Sequence, residues 1–222
     1  MDLSSWTGAP RPERIALEGI YARLEPLDPQ CHGGHLLHSA RQEGAEDRFR
    51  YLFDPVPVDE ASFARWLEGA SASTDPLFFA VIDKATGRAE GRQALMRIDP
   101  GHGVIEIGNI LWGPAIARSR IATEALFLFA SYAFDTLGYR RFEWKCHDRN
   151  APSKQAAERF GFTFEGVFRN HMVVKGGNRD TAWYSIIASE WPELRARYGA
   201  WLNPTNFDDG GRQKRRLSEV AT

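Results

Sequence analysis

The feature that most constrains the fold of this 222-residue chain lies in residues 108–144, GNILWGPAIARSRIATEALFLFASYAFDTLGYRRFEW. The pattern predicts a strand, a turn, a long helix from about Arg120 to Leu137 and a second strand. The helix is apolar on almost every side, so it must be largely buried, and Gly138 is a typical C-terminal stop. Strands joined by such a helix can pair in parallel, which predicts a helix packed on a sheet.

The other elements predict a single domain of mixed α/β (α+β) class. A strand within residues 20–27 precedes two helices that begin near Asp28 and Asp59, both suitable N-caps. Residues 77–112 contain short apolar or alternating runs separated by turn residues, which is typical of an antiparallel meander. Residues 141–147 are predicted to form a strand. A helix capped by Asn150, two closing strands and a terminal helix follow. This order favours a mixed, mostly antiparallel sheet with helices on both faces.

The terminal segments, the net charge and the cysteines limit which domain boundaries, partners and cellular location we expect. We expect an arm over residues 1–19, a folded domain over 20–202 and a disordered tail over 203–222, which lacks apolar periodicity. The net charge of -1 gives no global reason to expect nucleic acid or a membrane as partner. No signal-peptide pattern or long apolar run is present, so a cytoplasmic location is expected. Cys31 and Cys146 are interpreted as free thiols.

The turn before the long helix is a candidate anion site. Its residues would supply the free N–H groups of the first helical turn and the positive end of the helix dipole. Arg118 and Arg120 stand there, and guanidinium groups suit phosphate. An exposed basic turn that binds only water is an equally good interpretation of the pattern.

Five segments, taken in order, resemble the Gcn5-related N-acetyltransferase (GNAT) superfamily, in particular its ribosomal-protein alanine acetyltransferase-like (RimJ/RimL-like) branch. They are EIGNILWGP, IATEAL, AFDTLGYRRFEW, NAPSKQAAERFGFTFEGVFRN and DTAWYSI. The resemblance runs from about residue 20 to residue 190. It implies a GNAT-type domain whose sheet is split by a cofactor cleft, with acetyl-CoA as cofactor and no metal.

The resemblance also implies which residues hold the cofactor. The usual pyrophosphate pattern, Gln/Arg-x-x-Gly-x-Gly/Ala, falls on Ala117, Arg120 and Ala122, of which only Ala122 fits. Backbone amides near Leu111 and Trp112 would face the thioester carbonyl. The implied cofactor-binding set is Leu111, Trp112, Ala117, Arg118, Ser119, Arg120, Ile121, Ala122, Thr123, Asn150 and Ser153.

Two positions of this branch fall at the start of the helix after residue 150. Asn150 would hold the pantetheine arm, and Ser153 would donate a proton or hydrogen bond to the departing thiolate. Helix capping explains both residues equally well, and the two roles can coexist. Many superfamily members have a tyrosine one turn later, where this chain has Ala157.

Glu106 is the first candidate for the base that takes the proton of the amine. Strand alternation places Glu106, Gly108, Ile110 and Trp112 on one face. Pairing of Glu106 with Arg92 or Arg97 across the meander is the competing interpretation. Weaker candidates for the acceptor side of the site are Arg92, His171 and Tyr184.

Two further motifs have the composition of other kinds of site. Cys31, His35 and His38 share one helix face and suit zinc, but no second ligand cluster accompanies them, so no metal is predicted. The basic run at residues 211–216 lacks interleaved aromatic residues and is interpreted as a solvated tail.

The sequence therefore predicts an acetyl-CoA-dependent N-acetyltransferase that works by direct transfer in a ternary complex. The acceptor is a primary amine of a small molecule, an amino acid or a protein N-terminus. The alternative is a binding or regulatory module of the same fold with weak or lost catalysis. A homodimer is possible, because the terminal helix and the last hairpin carry aromatic side chains.

Overall fold

The computed structural model describes residues 3–220, and over that range the chain forms one eight-stranded sheet in the order β1-β2-β3-β4-β5-β6-β8-β7. β5 and β6 are parallel, and all other neighbouring strands of this sheet are antiparallel. The mixed, mostly antiparallel sheet is thus confirmed. The strands are β1 (Leu17–Glu18), β2 (Ala22–Pro26), β3 (Leu77–Asp83), β4 (Arg88–Asp99), β5 (Val104–Trp112), β6 (Arg141–His147), β7 (Thr163–Val174) and β8 (Gly177–Ile187).

Six α-helices occur in the described range: α1 (Pro29–Arg41), α2 (Ala45–Phe49), α3 (Glu60–Ala72), α4 (Arg120–Ser131), α5 (Ala151–Arg159) and α6 (Trp191–Leu202). The side chains of Asp28, Asp59 and Asn150 accept backbone hydrogen bonds as N-caps. The predicted long helix differs in its last turn, because α4 passes into a π-helical turn at Tyr132–Thr136. None of the helices described is long and apolar enough to cross a membrane.

The sheet separates two hydrophobic clusters. On one side, here called the α4 face, residues such as Phe79, Ile105 and Phe142 pack with α4 and α6. On the other side, the α1 face, Phe78 and Ala80 pack with α1 and α3. Helices therefore lie on both faces, as predicted.

The sheet opens between β5 and β6. The two strands pair from Val104 and Arg141 as far as Ile107 and Trp144. β5 continues to Trp112 and β6 to His147, and the ladder between them stops although both strands run on. This opening is the predicted split in the sheet.

A bulge in β5 changes which of its side chains lie on the α4 face and which lie on the α1 face. Gly108 is opposite Ala94 and Leu111 is opposite Arg92, so β5 has one extra residue between these pairs. Asn109, with a φ of 50°, lies in this irregular stretch. Leu111 consequently packs with a cluster beside α1 and α2, whereas Trp112 packs on the α4 face. The prediction that simple alternation puts Glu106 and Trp112 on one face was wrong, because the bulge shifts the phase by one residue.

The C-terminal segment also differs from its prediction. Residues 203–220 were expected to be disordered, but Phe207, Leu217 and Val220 are buried. The side chain of Asn206 donates to the carbonyl of Trp201, and Phe207 bridges to Gln213. The physical reason is that short turns, without regular periodicity, are sufficient to bury a few large apolar side chains. Residues 221 and 222 lie outside the described range.

The predicted N-terminal arm contributes to the fold as well. β1 pairs with β2, and the indole N–H of Trp6 donates to the carbonyl of Gly101 at 2.7 Å. The arm from residue 3 onward is thus attached to the sheet and to the β4–β5 turn.

Candidate active site

The start of α4 presents backbone N–H groups that have no partner within residues 3–220. The hydroxyl of Ser119 caps the helix by accepting from the N–H of Ile121 at 3.1 Å. No intramolecular acceptor is present in that range for the N–H groups of Arg118, Arg120 and Ala122. The N–H groups of Arg120 and Ala122 belong to the first turn of a twelve-residue helix, and that of Arg118 lies just before its N-cap, so all three can donate to an anion at the positive end of the helix dipole.

The two arginines of this turn differ in their surroundings. Arg118 is exposed and has a φ of 61°, a backbone region that glycine occupies more easily. The guanidinium of Arg120 lies 4.2 Å from the ring centre of Tyr21 and 5.3 Å from that of Phe207. Arg120 therefore contacts the C-terminal segment, and Arg118 is the arginine whose side chain is in solvent.

Arg159 is a basic residue near this turn that the sequence analysis did not single out. Its guanidinium donates to the hydroxyl of Thr123 in the first turn of α4, at 3.2 Å. Together with Arg197 and Arg216 it lines a cavity of about 370 Å³ between α5, α6 and the C-terminal segment. The cavity depends on residues that were expected to be disordered, so no local signal in the sequence pointed to it.

Asn150 and Ser153 lie at the start of α5, beside the end of the β5–β6 ladder. The side-chain oxygen of Asn150 accepts from the N–H of Ser153 at 3.2 Å, so the capping role is observed. The indole of Trp144 donates to the hydroxyl oxygen of Ser153 at 3.0 Å. The hydroxyl also contacts the Cys146 thiol: burial raises the pKa of this thiol, and its hydrogen bond with Ser153 opposes the rise. Ala157, one turn later, is fully buried.

Glu106 lies on the α1 face in a cluster of charges. Its carboxylate accepts from Arg97 at 2.7 Å and pairs with Lys145 at 3.0 Å. Lys145 also pairs with Glu143 at 2.6 Å and lies 3.8 Å from the ring centre of Trp183. The predicted alternative of a Glu106–Arg97 pair is thus present, and Arg92 pairs with Asp54 instead. These ion pairs fix the position of Glu106 two residues before the split begins.

His171 belongs to the same cluster. Its Nδ1 lies 3.0 Å from the hydroxyl of Thr181. Burial lowers the pKa of His171, and the charges of Arg97, Arg179 and Lys145 lower it further, against an opposing effect of Glu106. The imidazole is therefore expected to be neutral at pH 7 and able to accept a proton.

Tyr184 is separated from this cluster by the sheet. It belongs to the hydrophobic cluster of the α4 face, and its hydroxyl donates to Glu158 at 3.3 Å. Burial and the charge of Glu158 raise its pKa to about 12. Arg92, in contrast, lies on the α1 face beneath the ring of Trp66. The structure thus brings together Glu106 and His171, with Arg92 on the same face, and leaves Tyr184 on the other.

Lys145 and Arg179 are residues of the α1 face that the sequence analysis missed. In β6, the charged side chains of Arg141, Glu143 and Lys145 alternate with apolar ones. In β8 this alternation is absent, because Arg179 lies in a polar run from Asn178 to Thr181. The period of two in β6 was a usable signal, but which strand would lie beside Glu106 depends on the parallel pairing of β5 with β6. Among the residues described, no group of three or more His, Cys, Asp or Glu is placed to hold a metal ion.

Comparison with known proteins agrees with this geometry. Residues 23–163 match a family model described as an acetyltransferase (GNAT) domain. A crystal structure of a GCN5-related N-acetyltransferase from Brucella melitensis is 61% identical, with a TM-score of 0.96 over 98% of both chains.

Two curated relatives match more weakly. The uncharacterized N-acetyltransferase p20 of Bacillus licheniformis is 30% identical over 51% of this chain and 63% of its own length. The putative ribosomal N-acetyltransferase YdaF of Bacillus subtilis (strain 168) is 34% identical over 32% of this chain and 39% of its own length. The chain thus spans less than two thirds of either relative. The ribosomal acetyltransferase supports the RimJ/RimL-like branch.

The family match covers more than half of the chain and includes β5, the start of α4 and the start of α5. The protein belongs to the GNAT acetyltransferase family and is an enzyme of the acyltransferase class.

Proposed function

We propose that this protein is an acetyl-CoA-dependent N-acetyltransferase that transfers the acetyl group directly to a primary amine within a ternary complex. The observation that carries the proposal is the set of N–H groups without acceptors at the start of α4, within residues 3–220, on the helix that joins the two strands of the split. Members of this family use acetyl-CoA, and these donors fit its pyrophosphate.

The residues of the first turn would bind the cofactor mainly through their backbone. The N–H groups of Arg118, Arg120 and Ala122 would donate to the pyrophosphate, with residues 117–123 forming the surrounding loop. Arg118 and the nearby Arg159 add positive charge, which suits phosphate oxygens. Glycine is not needed for donation, because every non-proline residue has an N–H group.

The edge of β5 beyond Ile107 would bind the pantetheine arm in place of a strand. The N–H of Gly113 donates to Glu90 of β4, and successive N–H groups of a strand turn to opposite edges. This alternation supports the N–H of Trp112 as the one next to Leu111 that turns toward the split. We assign it to the thioester carbonyl, where it would stabilise the oxyanion. Asn150 would hold the arm from the other side.

Acetyl-CoA supplies an activated acetyl group in its thioester. Glu106 would accept the proton of the amine, directly or through a water molecule, while the amine nitrogen forms its bond to the carbonyl carbon. Ser153 would donate its proton to the sulfur as the carbon–sulfur bond breaks. The ion pairs of Glu106 support this assignment, because they hold a carboxylate beside the split.

A binding module without catalysis is the second candidate. It is favoured by Ala157, which occupies the place of the tyrosine that many superfamily members have. Binding of acetyl-CoA without release of free CoA in the presence of any amine would support it.

Calorimetric titration with CoA and an assay of thiol release over a panel of amines test the proposal. Arg118→Glu is the informative variant, since it places a negative charge at the proposed pyrophosphate site. We expect its affinity for CoA to fall about tenfold or more. Arg65→Glu is the matched control, because Arg65 is an exposed arginine on α3. Equal affinity of both variants would contradict the site, and absence of CoA binding to the wild type would remove the proposed function.

A further inference from the structure

Arg179 is a buried cation without an anionic partner in the described range. It lies on β8 facing the α1 face and is 6% exposed. Its Nε donates to the hydroxyl of Thr181 at 3.2 Å. Residues 3–220 provide no carboxylate within ion-pair distance of it and no acceptor for its two terminal nitrogens. The two terminal nitrogens keep some contact with solvent, so an external anion can reach them and form charge-assisted hydrogen bonds.

Four cations on the neighbouring strands of this face have acidic partners. Arg97 and Lys145 pair with Glu106, Arg92 pairs with Asp54, and Arg141 pairs with Glu143. Arg179 differs from these four cations because it forms no ion pair within the described range. Arg179 is the exception in the described part of this cluster. An external anion can therefore form an ion pair with Arg179 without displacing a carboxylate of the protein.

Arg92 gives a second, independent observation near the same place. Its Nη1 is buried and has no acceptor in the described part of the chain. Arg92 and Arg179 contact adjacent residues of one segment: Arg92 donates to Asp54, and the guanidinium of Arg179 lies 5.1 Å from the ring centre of Phe53. Two side chains with donor groups that lack acceptors in the described range therefore contact the α2–α3 loop.

That loop closes over the α1 face. The hydroxyl of Tyr51 donates to the carbonyl of Arg149 at 3.2 Å, which ties the loop to the β6–α5 connection. Lys175, at the tip of the β7–β8 hairpin, donates to the carbonyl of Phe49 at 2.9 Å. These contacts join three parts of the chain beside the charges of the α1 face.

From these observations we infer that the acceptor is a small amine that carries its own carboxylate, as an amino acid does, and that Arg179 binds this carboxylate. The inference rests on the proposed function. A guanidinium can hold a carboxylate through two parallel hydrogen bonds, which fixes both position and orientation. Glu106 and His171, which interact electrostatically with Arg179, would then face the amino end of the same molecule.

The test compares the common amino acids that have a primary α-amine with their C-terminal amides as acceptors, measured by release of free CoA. The two members of each pair differ in charge but have nearly the same shape. We expect at least one amino acid to be acetylated with a kcat/KM about 10- to 100-fold above that of its amide, the effect of losing a charge-assisted hydrogen-bonded pair. Arg179→Gln should remove this preference mainly through KM, and Arg179→Lys should restore part of it. Arg65→Gln is the control for loss of one exposed positive charge.

Equal rates for acids and amides, or an unchanged preference in a folded Arg179→Gln protein, would overturn the inference while leaving the proposed function intact. Acetylation of peptide N-termini with no amino acid turned over would also overturn it. Absence of CoA release with every amine would instead reject the proposed function. Thermal melting of each variant shows whether it is folded, and Arg179→Met provides a second neutral variant if the glutamine variant is not.

Discussion

Glu106 is the residue whose role decides the proton chemistry. If it takes the proton of the amine, Glu106→Gln should lower kcat by about 100-fold or more, because general base catalysis typically contributes that much. Glutamine keeps the shape and can still accept from Arg97 and Lys145. His171→Asn is the matched variant, and we expect it to lower kcat less than tenfold. The reverse pattern would assign the base to the imidazole, whose lowered pKa keeps it neutral at pH 7.

Ser153 has a measurable role of its own. Ser153→Ala should lower kcat by about tenfold or more and leave the affinity for CoA nearly unchanged, because the hydroxyl is needed only as the thiolate departs. The cap of α5 is preserved in this variant, since the N–H of residue 153 still donates to Asn150. Steady-state kinetics together with calorimetry separate the two quantities. Equal kcat in variant and wild type would remove Ser153 from the mechanism.

At the residue scale, local patterns predicted Asn150 and Ser153 together at one helix start, because spacing within a helix fixes their relation. They also put Glu106 in the strand that leads to the split. The partners of Glu106 were not predictable in the same way. Lys145 reaches it across a parallel pairing of strands far apart in sequence, and Arg179 comes from a strand beyond that.

Among the elements, the C-terminal segment gives the clearest test of packing. Phe207 is 7% exposed, and its ring lies edge-to-face with Trp201 at 5.1 Å. We expect Phe207→Ala to lower the free energy of unfolding by about 3 kcal/mol, as for other buried phenylalanines. Val173→Ala is the control, because Val173 is 81% exposed and its truncation should change stability by less than about 0.5 kcal/mol. Equal stability of the two variants, measured by denaturant unfolding, would mean that the segment is not packed in solution.

Helix starts were the most predictable parts of the elements. Asp28 and Asp59 cap α1 and α3 as their sequence context indicates. The bulge in β5 was not predictable, because an extra residue in a strand leaves its apolar pattern almost unchanged. It nevertheless decides that Leu111 faces α1 and Trp112 faces the opposite side.

At the scale of the whole molecule, the order of helices and strands was sufficient to predict a mixed sheet with helices on both faces. The compact C-terminal segment could not be predicted from this order, since its buried residues have no regular spacing.

The structure also changes the argument for a homodimer. The apolar residues Trp191, Tyr198 and Trp201 of α6 are buried within the chain, so the terminal helix no longer supports one. The exposed Phe164 and Phe168 of the β7–β8 hairpin remain, and a homodimer through this hairpin stays a prediction.

Direct transfer in a ternary complex is a property of the whole molecule, since it needs cofactor and acceptor bound at once on the two sides of the split. Initial-velocity kinetics with acetyl-CoA and an amine that the protein acetylates, both concentrations being varied, test it most directly. We predict reciprocal plots that intersect and, after incubation with acetyl-CoA alone, a protein mass without an added acetyl group. Parallel plots, together with an acetylated protein that passes its acetyl group to the amine at the rate of turnover, would contradict the account.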